Sequence, residues 1–194
     1  MGEAFEKTYH FVEDYIAIER ESFEKMEYYH GEIFAMADGS LNHSLLSSNM
    51  NIALGNAIKS RGNGCRTYNS DAKIAISETR FVYPDTFVVC GKTETFDIMP
   101  DAASNPLLIV EVQSPSTGLY DREGKFQAYR QIKSFREYVL ISQDKILVEV
   151  FYKPDNKDFW QFRSYDSLDE TVQLNSIDSE VLMAEIYAGW EKED

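Results

Sequence analysis

Basic residues are scarce in this chain: 19 Lys and Arg stand against 33 Asp and Glu over 194 residues, a formal net charge of −14. That balance excludes non-specific nucleic-acid binding through a general basic surface, because such binding draws its strength from cations neutralising phosphates. It leaves room for a site that gathers its few cations at one cleft, where a bound metal ion also offsets carboxylate charge. Cysteine is rarer still. Cys65 and Cys90 stand without a Cys-x-x-Cys pair and only His10, His30 and His43 accompany them, so neither a structural zinc nor a disulfide framework is expected. Long apolar runs are missing as well. The strongest, residues 107–112, has the length of a strand, and no membrane span is expected. The opening residues carry mixed charge with no apolar stretch after them, unlike a secretory signal, which points to a cytoplasmic protein. The chain is long enough and, at 43% hydrophobic, apolar enough for one sizeable core, so a single domain over 1–194 is expected, its core spanning about 30–165.

Along the chain, a helix is expected over residues 12–26, then a strand from His30 to Ala37 entered through Gly31 and left through Asp38-Gly39, with an N-terminal hairpin possible. Leu46, Met50, Ala53, Leu54, Ala57 and Ile58 recur at helical spacing over 42–60, and Arg61-Gly62-Asn63-Gly64 ends that helix. Strand-like runs at 65–76 and 81–90 could pair as a hairpin, and 93–106 reads as an exposed loop. Residues 107–112 read as a central strand covered on both faces. A helix over about 118–133, three strands (137–142, 146–152 and 159–165) and a short helix within 179–190 complete an α/β pattern.

Two acids stand out. Glu111 lies inside Leu107-Leu108-Ile109-Val110-Glu111-Val112, where a buried carboxylate costs several kcal/mol unless paired or bound to metal. Strand alternation sets Ile109, Glu111 and Gln113 on one face and Val110 and Val112 on the other. Asp85, in Tyr83-Pro84-Asp85, sits among Val82, Phe87, Val88 and Val89 and makes the same demand. Each alone would suit a salt bridge or a turn cap. If their strands are neighbours, the two carboxylates offer the oxygen-rich, incompletely filled coordination that Mg²⁺ prefers, with Mn²⁺ as a substitute. Such an ion activates a water for phosphoryl chemistry.

Tyr83-Pro84-Asp85, then Ile109-Val110-Glu111-Val112-Gln113-Ser114-Pro115-Ser116-Thr117, then Asp121 to Lys125 and Tyr129, resemble the Uma-two family of the restriction-endonuclease-like, PD-(D/E)XK superfamily. The match spans roughly residues 30–152. The resemblance implies a mixed β-sheet flanked by helices and Mg²⁺-dependent hydrolysis of DNA phosphodiesters. It also implies that the Val112 carbonyl and Asp71 are further metal contacts, and that Glu32 and His43 lie in segments that often supply another acid. Where the superfamily carries a lysine two residues after the glutamate, this chain has Gln113, which cannot supply positive charge. The resemblance puts Lys125 in its place. Helical spacing aligns Asp121, Lys125 and Tyr129 at i, i+4 steps, so the ammonium either leans toward the metal or pairs with Asp121.

For Glu32 and His43 a surface or helix-capping role is equally open. Ser114 either bonds the strand end or touches phosphate, and Ser116 or Thr117 would cap the helix. DNA is the expected partner, and a homodimer would let such an enzyme cut both strands. The competing expectation is a catalytically silent DNA- or protein-binding module on the same fold, favoured by the acidic composition and by Gln113.

Overall fold

The computed structural model describes residues 9–36, 39–114 and 121–192. After helix α1 (Val12–Glu21) come strands β1 (Met26–Tyr29) and β2 (Glu32–Ala35), the long helix α2 (Leu41–Arg61), and strands β3 (Cys65–Asn69), β4 (Lys73–Ser77), β5 (Arg80–Val82), β6 (Thr86–Cys90), β7 (Ala102–Ala103) and β8 (Leu108–Gln113). A π-helical turn (Asp121–Lys125) runs into the short helix α3 (Phe126–Tyr129). Strands β9 (Glu137–Ser142), β10 (Val148–Tyr152), β11 (Gln161–Tyr165), β12 (Thr171–Leu174) and β13 (Ser179–Leu182) then precede the short helix α4 (Met183–Ile186).

The strands form two main sheets, six-stranded in the order β11-β10-β9-β8-β6-β3 and five-stranded in the order β2-β1-β5-β4-β7, with β12-β13 as a separate pair. In the six-stranded sheet β8 and β9 run parallel, and the remaining neighbours run antiparallel. Strand β8 is central, as its unbroken apolar sequence requires. Leu108, Val110 and Val112 pack in a core with Leu46, Met50 and Leu54 of α2, while Ile109 joins Ala128, Tyr129, Phe135 and Tyr138 on the other face. Each fully buried Leu, Ile or Val in this layer contributes about 1.5–3 kcal/mol. Helix α2 begins where the Ser40 hydroxyl accepts from the His43 amide and ends at Gly62, whose φ of 62° is the left-handed cap that glycine adopts at low cost.

The expected hairpin over 65–90 forms, but it changes sheets midway. Its outer halves, β3 and β6, pair in the six-stranded sheet, while its inner halves, β4 and β5, pair in the other. The chain crosses between sheets at Ser70-Asp71-Ala72 and again at Tyr83-Pro84-Asp85. Pro84 has no amide to give to a ladder, so strand pairing stops there.

Several expectations need correction. The first helix ends at Glu21, not Met26, because residues 26–29 alternate as β1 and pair with β2 through the turn His30-Gly31 (φ 45° and 97°), a two-residue hairpin that needs positive φ. The loop over 93–106 contains β7, held parallel to β4. Of the helix expected over 118–133, residues 118–120 and the proposed caps Ser116 and Thr117 lie outside the described residues, 121–129 are helical, and 130–133 are not. The tail begins as strand β13 before its helix. Cys65 and Cys90 are joined in a disulfide, contrary to expectation. The β3–β6 register sets them directly opposite, and spacing in sequence does not reveal that. Among the described residues no helix is long and apolar enough to cross a membrane.

Candidate metal-binding and catalytic site

The antiparallel register of β6 and β8 pairs Thr86 with Val110. One residue further on each strand, past the end of the ladder, come Asp85 and Glu111. Strand β6 stops at the Pro84 crossing, so Asp85 continues the ladder with its side chain: Oδ2 accepts from the Val112 amide at 2.7 Å. The other oxygen, Oδ1, lies 2.7 Å from His43 Nε2 on the first turn of α2. This hydrogen bond, above all, raises the pKa of His43 against the opposing effect of its burial.

Glu111 is buried on the face expected from alternation. Its Oε1 accepts from the Tyr129 hydroxyl at 2.6 Å and lies 3.1 Å from Lys125 Nζ. The same ammonium is 3.2 Å from Asp121 Oδ1, so Lys125 pairs with Asp121, one of the two alternatives, and shares itself with Glu111. The π-helical turn carries Asp121 and Lys125, and such turns recur at functional sites. Burial above all, with Asp85 and Asp121, pushes the Glu111 carboxyl up against the pull of Lys125 and the Tyr129 hydrogen bond, to about 8. Lys125 itself is held charged, well above its ordinary value, because the attraction of Glu111, Asp121, Glu27 and Asp85 outweighs its own desolvation. Burial likewise keeps the Tyr129 phenol protonated as a donor.

The donors around this point are hard carboxylate oxygens in excess of the cations that face them. Asp121 Oδ1, though close to Nζ, is buried and receives no hydrogen bond from the described residues. Surplus negative charge and an undersatisfied buried oxygen fit a hard divalent ion. Among the described residues no three His, Cys, Asp or Glu side chains form a ready-made cage. Mg²⁺ does not require one, because it keeps several waters and takes one or two carboxylates together with substrate oxygens.

The remaining sequence candidates disperse around this centre. Gln113 and Ser114 end β8 and are half-buried, and the Gln113 carbonyl accepts from the Gln143 amide. Asp71 lies at the other sheet crossing, exposed, where Lys25 Nζ bonds it at 2.6 Å and lowers its pKa. Glu32 lies on β2, in the wall of a separate cavity. His43 and Asp85 open into a groove of about 920 Å³ between α2 and the segment entering β1, lined by Ser44, Ser47, Asn51, Lys25 and Phe23. Sequence reasoning missed Glu27, which accepts from the Tyr83 amide at 3.2 Å and whose charge acts on Lys125 and Tyr129. The alternation of Glu27 with Met26 and Tyr28 was its signal, hidden by extending the first helix too far.

Comparison with known proteins agrees with this architecture. The chain is 35% identical over 178 residues to the uncharacterized protein slr1290 of Synechocystis sp., covering 91% of this chain and 90% of that protein. It is 35% identical over 144 residues to the uncharacterized protein sll1609 of the same organism, covering 72% and 78%. Its fold is shared with the crystal structure of a protein from Anabaena variabilis described as a "putative nuclease belonging to DUF820", at a TM-score of 0.69 and 16% identity, covering 92% of this chain and 98% of that one. The sequence profile of Uma2, described as "Putative restriction endonuclease", matches residues 12–183. With nearly the whole described fold inside that match, this chain belongs to the Uma2 family.

Proposed function

We propose that this protein is a metal-dependent nuclease that hydrolyses DNA phosphodiester bonds. The observation that carries the reading is that the Asp85 carboxylate is fastened to the amide of Val112, the residue next to Glu111, whose Oε1 lies 3.1 Å from Lys125 Nζ. Asp85 and Glu111 would hold Mg²⁺ or Mn²⁺ together with the Val112 carbonyl, and Asp71 would reach the ion only by leaving Lys25. The bound ion supplies a polarised phosphoryl oxygen and a water acidic enough to yield hydroxide near neutral pH.

The chain's own groups do the rest. The Val112 amide fixes the direction of the Asp85 carboxylate, and Tyr129 fixes that of Glu111. Lys125, held protonated, faces the negative charge that develops on the phosphate in the transition state. It supplies the cation that Gln113 cannot. His43 orients Asp85 from the groove side, and the groove along α2 offers a path for the strand. Cutting both strands of a duplex needs two such sites, which a pair of chains would provide.

The test is cleavage of plasmid and linear DNA by the purified chain with Mg²⁺ or Mn²⁺. Asp85→Asn and Glu111→Gln are expected to lose about 10³-fold in rate, the several kcal/mol of transition-state stabilisation an ion supplies, with the fold retained. Cleavage that persists in chelator would refute the proposal. A second reading, a silent binding module on the same fold, is favoured by Gln113 and by the pairing of both acids with His43 and Lys125. It is the correct one if Mn²⁺ neither binds nor raises the thermal midpoint while DNA or a protein partner does.

A further inference from the structure

Between the five-stranded sheet and the segment that carries Lys125 lies a cavity of about 510 Å³ that the proposed reaction leaves unused. Its floor is a cross-strand row. The register sets Glu32 opposite Tyr29, and Tyr29 opposite Arg80, so the three side chains share one face. Glu27, two residues before Tyr29, points the same way. Gln127 and Gln131 line the opposite wall.

Arg80 is the unusual member. It is only 6% exposed, its guanidinium carbon lies 4.1 Å from the Tyr29 ring centroid, and its Nε–H is buried with no hydrogen-bond partner among the described residues. An arginine cannot shed its proton, so burial cannot be relieved by neutralisation. Stacking on an aromatic face recovers part of the desolvation cost, but an unused buried donor still costs about as much as a lost hydrogen bond. A ligand with an acceptor edge would satisfy it.

The other groups restrict what that ligand is. An anion such as phosphate would meet Arg80 but also the carboxylates of Glu27 and Glu32, and a cation would meet Arg80. A neutral planar ring with acceptors on one edge and donors on the next suits both. Among the DNA bases guanine alone joins two adjacent acceptors, O6 and N7, which arginine reads bidentately, to two adjacent donors, N1–H and the exocyclic amine, which match a carboxylate.

We propose that this cavity is a guanine-binding pocket that receives a base turned out of the nucleic-acid strand being processed, as enzymes that must reach a base do at the cost of unstacking it. The origin of the base rests on the nuclease reading; the chemistry of the pocket does not. The pocket adjoins the catalytic centre directly, since Gly124 lines it and Lys125 follows, and Glu27 accepts from the amide of Tyr83, two residues before Asp85.

Calorimetric titration of the full chain, free of divalent ions, with guanosine, adenosine, cytidine and inorganic phosphate tests the proposal. Guanosine is expected to bind at least about tenfold more tightly than the other three, and Arg80→Gln to lose about tenfold or more, the discrimination one bidentate pair supplies. Should Arg80→Gln fail to fold, Glu32→Gln decides, with weakened guanosine binding by the folded variant expected and unchanged binding overturning the proposal. Phosphate bound as tightly as guanosine, or nucleosides bound alike, overturns it too. A chain that binds guanosine but cuts no DNA loses the nuclease reading and keeps the pocket, and one that cuts DNA but ignores guanosine loses only the pocket.

Discussion

Glu111 and Glu137 are both buried glutamates on adjacent central strands, and they do opposite things. Glu137, at the start of β9, has both oxygens filled by neutral donors of the turn after β12: the amides of Asn175 and Ser176, each at 2.9 Å, and the Ser176 hydroxyl at 2.7 Å. Burial raises its pKa, and those donors draw it back. Glu111 instead meets a charged lysine and a phenol, with Asp85 and Asp121 close enough to push against it. The first carboxylate staples a turn to the sheet. The second sits in an unbalanced field that a cation would settle. Burial of an acid in a strand is therefore no sign of chemistry by itself; the charge and reach of its neighbours are.

Three measurements would sharpen or break this contrast. The largest effect is expected from Glu137→Ala, which breaks three partly buried hydrogen bonds to a carboxylate and should lower unfolding free energy by about 3 kcal/mol. Denaturant unfolding checks it, and a loss as small as that of a surface substitution would erase the distinction between the two acids.

The second concerns pH in the absence of divalent ions. The folded-state pKa of Glu111 is raised, to about 8, above its ordinary value near 4.5. Its contribution to stability is therefore fully present below about pH 4.5 and is lost as pH rises through about 8. Glu111→Gln should remove that slope. Between pH 5 and 9 the difference between wild type and variant is expected to change by an amount on the order of 2 kcal/mol, read from thermal or denaturant midpoints. Parallel profiles would mean that Lys125 already balances the carboxylate. The smallest effect is expected from Tyr129→Phe, which deletes one buried donor to Glu111 and should cost about 1 kcal/mol of stability. It should also lower cleavage by about tenfold through loosened aim. Cleavage at the wild-type rate would show that Glu111 needs no help from the phenol.

Much of this centre was legible from residue order. Glu111 announced itself as a lone charge in an apolar run, and Asp85 as an acid beside a strand-breaking proline. Lys125 came from the family resemblance, and i, i+4 spacing aligned it with Asp121 and Tyr129. What escaped notice depended on which strands end up side by side. The Cys65–Cys90 bond, the Arg80–Tyr29–Glu32 row and the role of Glu27 all follow from registers between segments far apart in the chain. Periodicity within one segment carries no information about them. Glu137 was passed over because an acid next to Arg136 at a strand's start looks like ordinary surface charge, and its partners lie nearly forty residues downstream.

The crossing of the long hairpin from one sheet to the other has a mechanical corollary. Asp85 is a rung between two layers as well as a proposed metal ligand: its backbone belongs to the turn leaving β5, while its carboxylate is fastened to β8 through the Val112 amide. Any shear of one layer against the other would have to drag that carboxylate off its anchor. The proposed centre would thereby be ruined by small slippages that leave both sheets individually intact, and loss of cleavage should serve as a more sensitive gauge of interlayer alignment than any melting curve.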